Sequence, residues 1–183
     1  MLPPLSHIFE ICLYSLLNFF PFLIFALYPF RDDLRFSRTK TGLLIVVLTF
    51  LQILFGLLAR FSTGNISAIL SLISTLSYAI FYFAAIRKSP GQLLFVLLMI
   101  SNIANLTVIT AKCLEGQFFP DFALLPYRYS MSLFMVIAEI FILIPIFVFL
   151  KKVITPAISC SQSFHEWRYL WLIPATFYLI WYY

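Results

Sequence analysis

Residues 42–60, GLLIVVLTFLQILFGLLAR, decide the class of fold, because they carry no acidic residue and no basic residue before Arg60. A helix of this length rises about 28 Å at 1.5 Å per residue. The hydrocarbon core of a bilayer is roughly 30 Å thick, so such a helix just crosses it. The stretch therefore predicts a membrane-spanning α-helix.

Comparable apolar stretches lie on both sides of this one, separated by charge clusters and by turn residues such as the STGN at 62–65. They predict an all-α fold, a polytopic integral membrane helical bundle of about six transmembrane helices in a single domain that covers 1–183. The connections at about 112–128 and 151–167 are expected to be loops. The predicted helices lie near 8–28, 42–60, 66–86, 93–111, 129–150 and 168–183.

The overall composition excludes an ordinary soluble domain. Hydrophobic residues make up 63% of the chain and charged residues 10%, against roughly 45–50% and about 25% in soluble domains. The net charge of +5 does not indicate nucleic-acid binding, because the basic residues form short clusters between apolar runs. No Lys or Arg precedes Arg31, so the first run lacks the basic start of a signal peptide and is expected to remain as a helix.

The basic clusters predict the orientation of the bundle. Nine of the twelve Lys and Arg residues fall in alternate connections at 31–40, 87–88 and 151–168. The remaining connections hold Arg60, Lys112 and Arg128. Because positively charged connections stay in the cytoplasm, the first group marks the inner side, and the N-terminus is predicted to lie outside.

The sixth apolar run ends abruptly. From Arg168 to Tyr183 a helix would rise only about 24 Å, which is short of the roughly 30 Å hydrocarbon core. The run closes on aromatic residues without a polar tail. We therefore expect that 1–183 is a truncated product of a longer protein.

Polar side chains at mid-membrane depth are the candidates for function, because such groups are costly in hydrocarbon. Four predicted helices each carry one, and Asn105 follows Asn102 by about one turn on the same face. The third helix adds a serine stripe placed to converge with them on a polar centre, formed by Ser67, Ser71, Ser74 and Ser77. We favour interhelical hydrogen bonds that fix helix packing over a ligand or proton site. The candidates for a ligand site or polar core are Asn18, Gln52, Asn102, Asn105 and Glu139.

Glu139 is the sharpest of these candidates, since an acid at the bilayer centre must find hydrogen-bond donors or become protonated. The expected donors are Asn102, Asn105 and Gln52. Glu139 is therefore predicted to face the bundle interior and to approach one of them. A lone acid without a basic partner at similar depth favours a structural role over proton-coupled transport.

No catalytic residue is predicted. His165 stands in the sequence HEWR at 165–168, which is similar to the box around a phosphoacceptor histidine. The residues after it enter the bilayer, so an interfacial anchor is the preferred interpretation. Cys160 and His165 share a predicted cytoplasmic loop, which keeps a membrane cysteine peptidase as an alternative. Neither a metal nor a cofactor is expected here, because the three cysteines lack metal-ligand spacing and no nucleotide-binding motif occurs.

Two segments, LYPFRDDLRFS at 27–37 and WRYLWLIPATFY at 167–178, resemble the N-terminal membrane region of GHKL-type sensor histidine kinases from Gram-positive bacteria. The resemblance extends over the whole chain in helix layout. It implies a multi-pass protein of the bacterial cytoplasmic membrane, in which the membrane part senses a signal. A cytoplasmic region beyond that part supplies the phosphoacceptor histidine and the ATP-binding domain in this family.

The resemblance implies that the chain is the signal-sensing portion of a two-component sensor histidine kinase and is non-catalytic by itself. ATP and Mg are expected only in the kinase region, which these residues do not include. The implied partners are the lipid bilayer, a second copy of the full-length protein in a homodimer, an extracellular peptide or small-molecule signal, and a response regulator that binds the kinase region. The alternatives are a fragment of a small membrane transporter or permease, a membrane peptidase, and a non-catalytic assembly protein.

Cysteine labelling on intact cells tests the predicted orientation. In a variant whose native cysteines are replaced, Asn65→Cys should react with a membrane-impermeant reagent added outside, because it lies in a connection predicted to be external. Ser37→Cys should react only after the cells are opened. Labelling of Ser37→Cys from outside would overturn the orientation.

Overall fold

The structure, a computed structural model, describes residues 5–62, 64–124, 129–160 and 164–180. This described part is all-α, with one isolated backbone bridge between Leu34 and Ile86. Its helices are α1 Leu5–Leu27, α2 Arg38–Phe61, α3 Asn65–Ala85, α4 Pro90–Phe118, α5 Pro120–Ala123, α6 Tyr129–Phe149, α7 Thr155–Cys160, α8 Phe164–Leu170 and α9 Leu172–Ile180.

Five helical stretches in the described part are long and apolar enough to cross a bilayer. Many of their large apolar side chains point away from the bundle, including Phe141, which is 76% exposed. Hydrocarbon is the solvent that matches such a surface, since water would have to hydrate it at a cost. The prediction of an all-α, multi-pass membrane bundle is therefore confirmed. The five stretches are His7–Phe30, Arg38–Phe61, Asn65–Ala85, Pro90–Phe118 and Tyr129–Cys160.

The end of α4 differs from the prediction. The loop expected from residue 112 is helical as far as Phe118, because hydropathy marks where the apolar run ends, whereas a helix continues until a residue stops it. Pro120 is the first proline after Pro90, the residue at which α4 begins. Glu115 in the extension is 1% exposed and accepts a hydrogen bond from the Ser130 hydroxyl, which fastens the extension to the start of α6.

The loop expected after residue 150 is also helical, up to Cys160. α6 passes into one wide π-type turn, Leu150–Ile154, and then into α7. The carbonyl of Leu150 accepts both the backbone N–H and the hydroxyl of Thr155, the hydroxyl at 2.9 Å. Pro156 lacks the N–H that a regular helix would direct at the carbonyl of Lys152, which accounts for the altered register.

The prediction of one continuous helix over 168–183 is wrong for its described part. The helix is interrupted by a turn at Trp171, which separates α8 from α9. Pro174 explains the break: it has no N–H for the carbonyl of Leu170, and its ring would collide with that carbonyl in a continuous helix. The helix resumes as α9 two residues before this proline. Pro174 then lies in the first turn of α9, where backbone N–H groups have no partner within the helix. Residues 181–183 lie outside the described part.

The connections between α1 and α2 and between α3 and α4 are joined at one end of the bundle. The N–H of Arg35 donates to the carbonyl of Ala85 at 2.8 Å, and the N–H of Arg87 donates to the carbonyl of Asp33 at 2.9 Å. The ammonium of Lys88 also lies 3.3 Å from the Asp33 carboxylate. We call this joint, residues 33–35 with 85–88, the clasp.

The main hydrophobic core lies directly beneath the clasp. Phe30 and Tyr82 are fully buried there, with their rings edge to face at 6.3 Å. The Tyr82 hydroxyl donates to the carbonyl of Ala26 at 3.4 Å, which secures the end of α3 to the end of α1. A second, smaller cluster around Met135 and Ala138 packs α6 against α4 and α1.

α8 lies against the start of α4 at the same end of the bundle. The two backbones approach so closely that a methyl group placed on Gly91 would overlap the carbonyl of Trp167. The Trp167 ring packs edge to face against Phe95 of α4, with ring centres 5.5 Å apart. A residue without a Cβ is therefore required at position 91 for this packing.

Candidate ligand-binding cleft

Gln52 lies in the middle of α2 and joins this helix to α3. Its amide nitrogen donates to the carbonyl of Ser74 at 2.9 Å and to the hydroxyl of Ser77 at 3.1 Å. Its amide oxygen accepts a hydrogen bond from the Ser74 hydroxyl. Both ends of the amide are thus satisfied inside the bundle, which avoids the cost of an unpaired polar group in hydrocarbon.

α3 packs chiefly against α2 among the described helices. It is attached at mid-depth by Gln52 and at its C-terminal end by the clasp. Phe19 of α1 reaches it at this middle level, with its ring edge to face against Tyr78 at 5.4 Å. A cleft separates the N-terminal half of α3 from α1 and α4.

This cleft has a volume of about 990 Å³, which lies at the upper end of the range for small-molecule sites. Helices α1 to α4 provide most of its walls, and α6 and α9 add one residue each, Met131 and Tyr178. The polar residues that line it are Glu10, Tyr14, Ser15, Asn18, Gln52, Arg60, Ser62, Ser67, Ser71, Ser74, Thr75, Tyr78, Ser101, Asn105, Lys112 and Tyr178.

The lining changes in character along the bundle axis. Charged residues stand near the end of the bundle where α2 ends and α3 begins, and they are Glu10, Arg60 and Lys112. Hydroxyl and amide groups follow in the middle. Apolar side chains, including Phe22 and Ile100, are concentrated toward the deep end, beside the polar groups of Gln52 and Tyr78. The separation of Lys112 from Ile100 along α4 gives the cleft a length of about 18 Å at 1.5 Å per residue.

Three of the predicted polar-core residues, Asn18, Gln52 and Asn105, line this cleft together with serines of the predicted stripe. Asn102 instead donates to the carbonyl of Pro174 at 2.8 Å and ties α4 to α9. The structure therefore brings together amides of α1, α2 and α4 with hydroxyls of α3, and leaves Asn102 at a different interface.

Glu139 is 8% exposed and faces the bundle interior from α6. Its Oε1 has no hydrogen-bond partner among the described residues, and the same holds for the buried hydroxyl of Ser132 two turns earlier. No hydrogen bond joins Glu139 to Asn102, Asn105 or Gln52 within that part of the chain. α6 packs on α4 and α1, so its inward face meets those helices and not the wall built by α2 and α3.

The sequence-based search missed the charged residues of the cleft. Glu10 is 8% exposed. It is an acid within the first predicted span, and this feature of the sequence alone could have identified it as a candidate functional residue. Arg60 and Lys112 entered only as markers of orientation, although each ends the apolar part of a span. Nothing in the sequence indicated that all three meet at one cleft, because they lie on α1, α2 and α4, which only the tertiary fold brings together.

Cys160 and His165, the residues considered for other chemistry, both belong to the C-terminal part of the chain, after α6. Cys160 ends α7 and is exposed, while the side chain of His165 lies outside the described part. A cluster of His, Cys, Asp or Glu suited to a metal ion is not found among the described residues.

Comparisons with known proteins find no matching family model, no matching curated protein and no matching solved structure. The chain is thus characterised by its own architecture, a multi-span helical membrane protein with a polar cleft at one end.

Replacing Gln52 with Leu should weaken the attachment of α3. We expect the free energy of unfolding in detergent micelles to fall by roughly 0.6–1.7 kcal/mol, the range for a hydrogen-bond network between membrane helices. Gln117→Leu is the matched control, because Gln117 is exposed near the end of α4, and it should change stability by less than about 0.5 kcal/mol. Equal stability of the two variants would contradict a structural role for Gln52.

Proposed function

We propose that this chain is a membrane-embedded signal-sensing module and that the cleft is the site where the signal binds. The observation that carries the proposal is the cleft itself, in which amides of three helices and hydroxyls of a fourth line a space of about 990 Å³. Polar groups in a membrane protein are retained where they find partners or line a wet cavity. A polar ligand in this cavity would meet groups able to recognise it.

The attachment of α3 supports a sensing role over simple storage of a ligand. One face of α3 forms a wall of the cleft, and its C-terminal end makes the clasp hydrogen bonds to the connection between α1 and α2. A ligand that binds one position of α3 better than another shifts the population of α3 toward that position. The clasp then passes the displacement to residues 33–35 at the opposite end of the bundle.

The orientation that we propose places the cleft outside and the clasp inside. The excess of Lys and Arg in 31–40, 87–88 and 151–168 supports it. We also propose that α8 and α9 together make a sixth crossing, because α9 packs along α4 after the break at Trp171. With this arrangement an external signal acts on one end of α3 and an internal partner reads the other.

The resemblance to GHKL-type sensor kinases supports a histidine kinase as that internal partner. The first resembling segment, 27–37, contains residues 33–35 of the clasp, which is where the proposed signal arrives. A full-length homodimer and a response regulator follow from the same proposal. The reading frame after Tyr183 tests it: a further helix and an ATP-binding domain are expected, and an immediate stop codon would contradict the kinase.

A small transporter or permease is the second candidate, favoured by the break between α8 and α9. Discontinuous helices with exposed backbone carbonyls line substrate sites in many transporters. Here the Pro174 carbonyl is bound by Asn102, and Tyr178 of the same helix lines the cleft. Net flux of a cleft ligand into proteoliposomes would favour the transporter, and saturable binding without flux would favour the sensor.

A bulky side chain that fills part of the cleft should imitate a bound signal. We expect Ser71→Trp, which places an indole in the cleft, to shift the emission maximum of a bimane label on Phe36→Cys beside the clasp, in a background without native cysteines. The label lies about 20 Å from position 71 along α3, so the indole does not quench it directly. Leu72→Trp is the control, since Leu72 points to lipid from the same turn.

The two tryptophan variants should therefore differ in emission although both add the same side chain to the same helix. Both must remain monodisperse in detergent, which shows that the bundle is intact. Identical emission from Ser71→Trp, Leu72→Trp and the parent protein would contradict transmission from the cleft to the clasp.

A further inference from the structure

We infer that the cleft takes an elongated amphiphile with one acidic head, a hydrogen-bond donor in its middle and a single apolar tail. This inference rests on the proposed function, because it names the chemistry of the ligand for the same cleft. The head, the middle and the tail are each indicated by a different set of lining residues.

The acidic head is inferred from the charged residues at the shallow end of the cleft, where α2 ends and α3 begins. Two cationic side chains, Arg60 and Lys112, and one acid, Glu10, line this end, which leaves a net positive charge. Lys112 is exposed and makes no ion pair within the described residues. A carboxylate or phosphate that reaches this level gains a charge-assisted hydrogen bond that a neutral head cannot form.

The middle of the cleft presents acceptors. The hydroxyls of Ser71, Thr75 and Ser101 each donate to a backbone carbonyl of their own helix, at 3.0, 3.0 and 2.8 Å. A hydroxyl whose hydrogen is used in this way offers only its lone pairs to a ligand. Asn18 and Asn105 line the cleft near the same level, and each amide offers an oxygen acceptor together with N–H donors. The ligand group that complements the three hydroxyls is an N–H or O–H, such as the amide that links a head to an acyl chain.

The tail is assigned by the deep end. Phe22 and Ile100 line it and are buried, and Phe19 and Phe55 line the middle of the cleft just above them. Removing the apolar surface of a ligand from water at this end favours binding in proportion to the area that is buried. The axial length of about 18 Å suits one extended chain with its head, as judged from the helical rise.

Binding of radiolabelled N-decanoylglycine to the chain in phosphatidylcholine nanodiscs tests this assignment. The probe carries a carboxylate, one amide N–H and one alkyl chain. We expect saturable binding above that of empty nanodiscs. Its methyl ester should bind about tenfold more weakly, because it lacks the charge-assisted hydrogen bond. Decanoic acid, which lacks the amide, should also bind more weakly.

Variants of the cleft locate the binding. Lys112→Gln should weaken N-decanoylglycine binding about tenfold, and Lys112→Arg should restore it, which separates loss of charge from loss of folding. Asn105→Leu should reduce the preference for N-decanoylglycine over decanoic acid, because it removes one of the polar groups of the middle level. Lys152→Gln, an exposed lysine outside the cleft, should bind as the parent does.

The source of the acidic head is distinguished by adding phosphatidylglycerol to the nanodiscs. Competition with the probe that depends on Lys112 would show that a bilayer lipid supplies the head, and no competition would show that the ligand arrives from water. Both outcomes support the shared chemistry. Absence of saturable binding, equal binding of acid and ester, or unchanged binding in Lys112→Gln would overturn it.

The same sample separates this inference from the proposed function. If N-decanoylglycine binds but leaves the bimane emission beside the clasp unchanged, the ligand class stands and sensing fails. If only the ester or a cationic analogue binds and shifts the emission, sensing stands and the ligand class is wrong.

Discussion

The hydrogen bonds between Gln52 of α2 and two serines of α3 are the interaction on which the architecture of the cleft depends. α3 packs chiefly on α2 among the described helices, and hydrocarbon offers no hydrophobic force that would press it onto the rest of the bundle. The amide satisfies both of its ends against Ser74 and Ser77. Above this level α3 diverges from α1 and α4 and leaves the cleft; below it the clasp closes the bundle.

This arrangement gives α3 two different ends. The clasp end is joined to the connection between α1 and α2 by two backbone hydrogen bonds and lies over fully buried Phe30 and Tyr82. At the other end of α3, most side chains are exposed, and some of them line the cleft. In the proposed function, a displacement of the free end of α3 reaches the joint as a small change. That mechanical asymmetry is the basis of the proposed sensing role.

The membrane spans could be predicted from the sequence, because the length and apolar composition of a span follow directly from the thickness of the bilayer. Helix ends could not be predicted in the same way, since α4 continues through Lys112 to Phe118 after its apolar run has ended. Pro174 indicates the break before α9, because a proline interrupts a helix. Hydropathy does not show this break, since the residues on both sides of Pro174 are apolar. The π-type turn before Pro156 is a similar case.

The candidate site was predictable only in part. Asn18, Gln52 and Asn105 were identified as intramembrane polar residues, and they line one cleft. Asn102 precedes Asn105 by three residues, which rotates it by about 60° on the helix and is enough to turn it to α9. Which helix each face meets depends on tertiary packing, and spacing within one helix does not contain that information. The meeting of Glu10, Arg60 and Lys112 is a consequence of the same packing.

The central claim is that a polar cleft runs beside one face of α3, and the accessibility of that face to water tests it most directly. Single cysteines at Ser67, Ser71 and Thr75, which line the cleft, are compared in nanodiscs with cysteines at Leu72 and Leu76, which are exposed on α3 outside the cleft. A charged, membrane-impermeant thiol reagent should label the first three and spare the other two, because hydrocarbon excludes the reagent. Equal labelling of both faces, or no labelling of the serine face, would contradict the cleft.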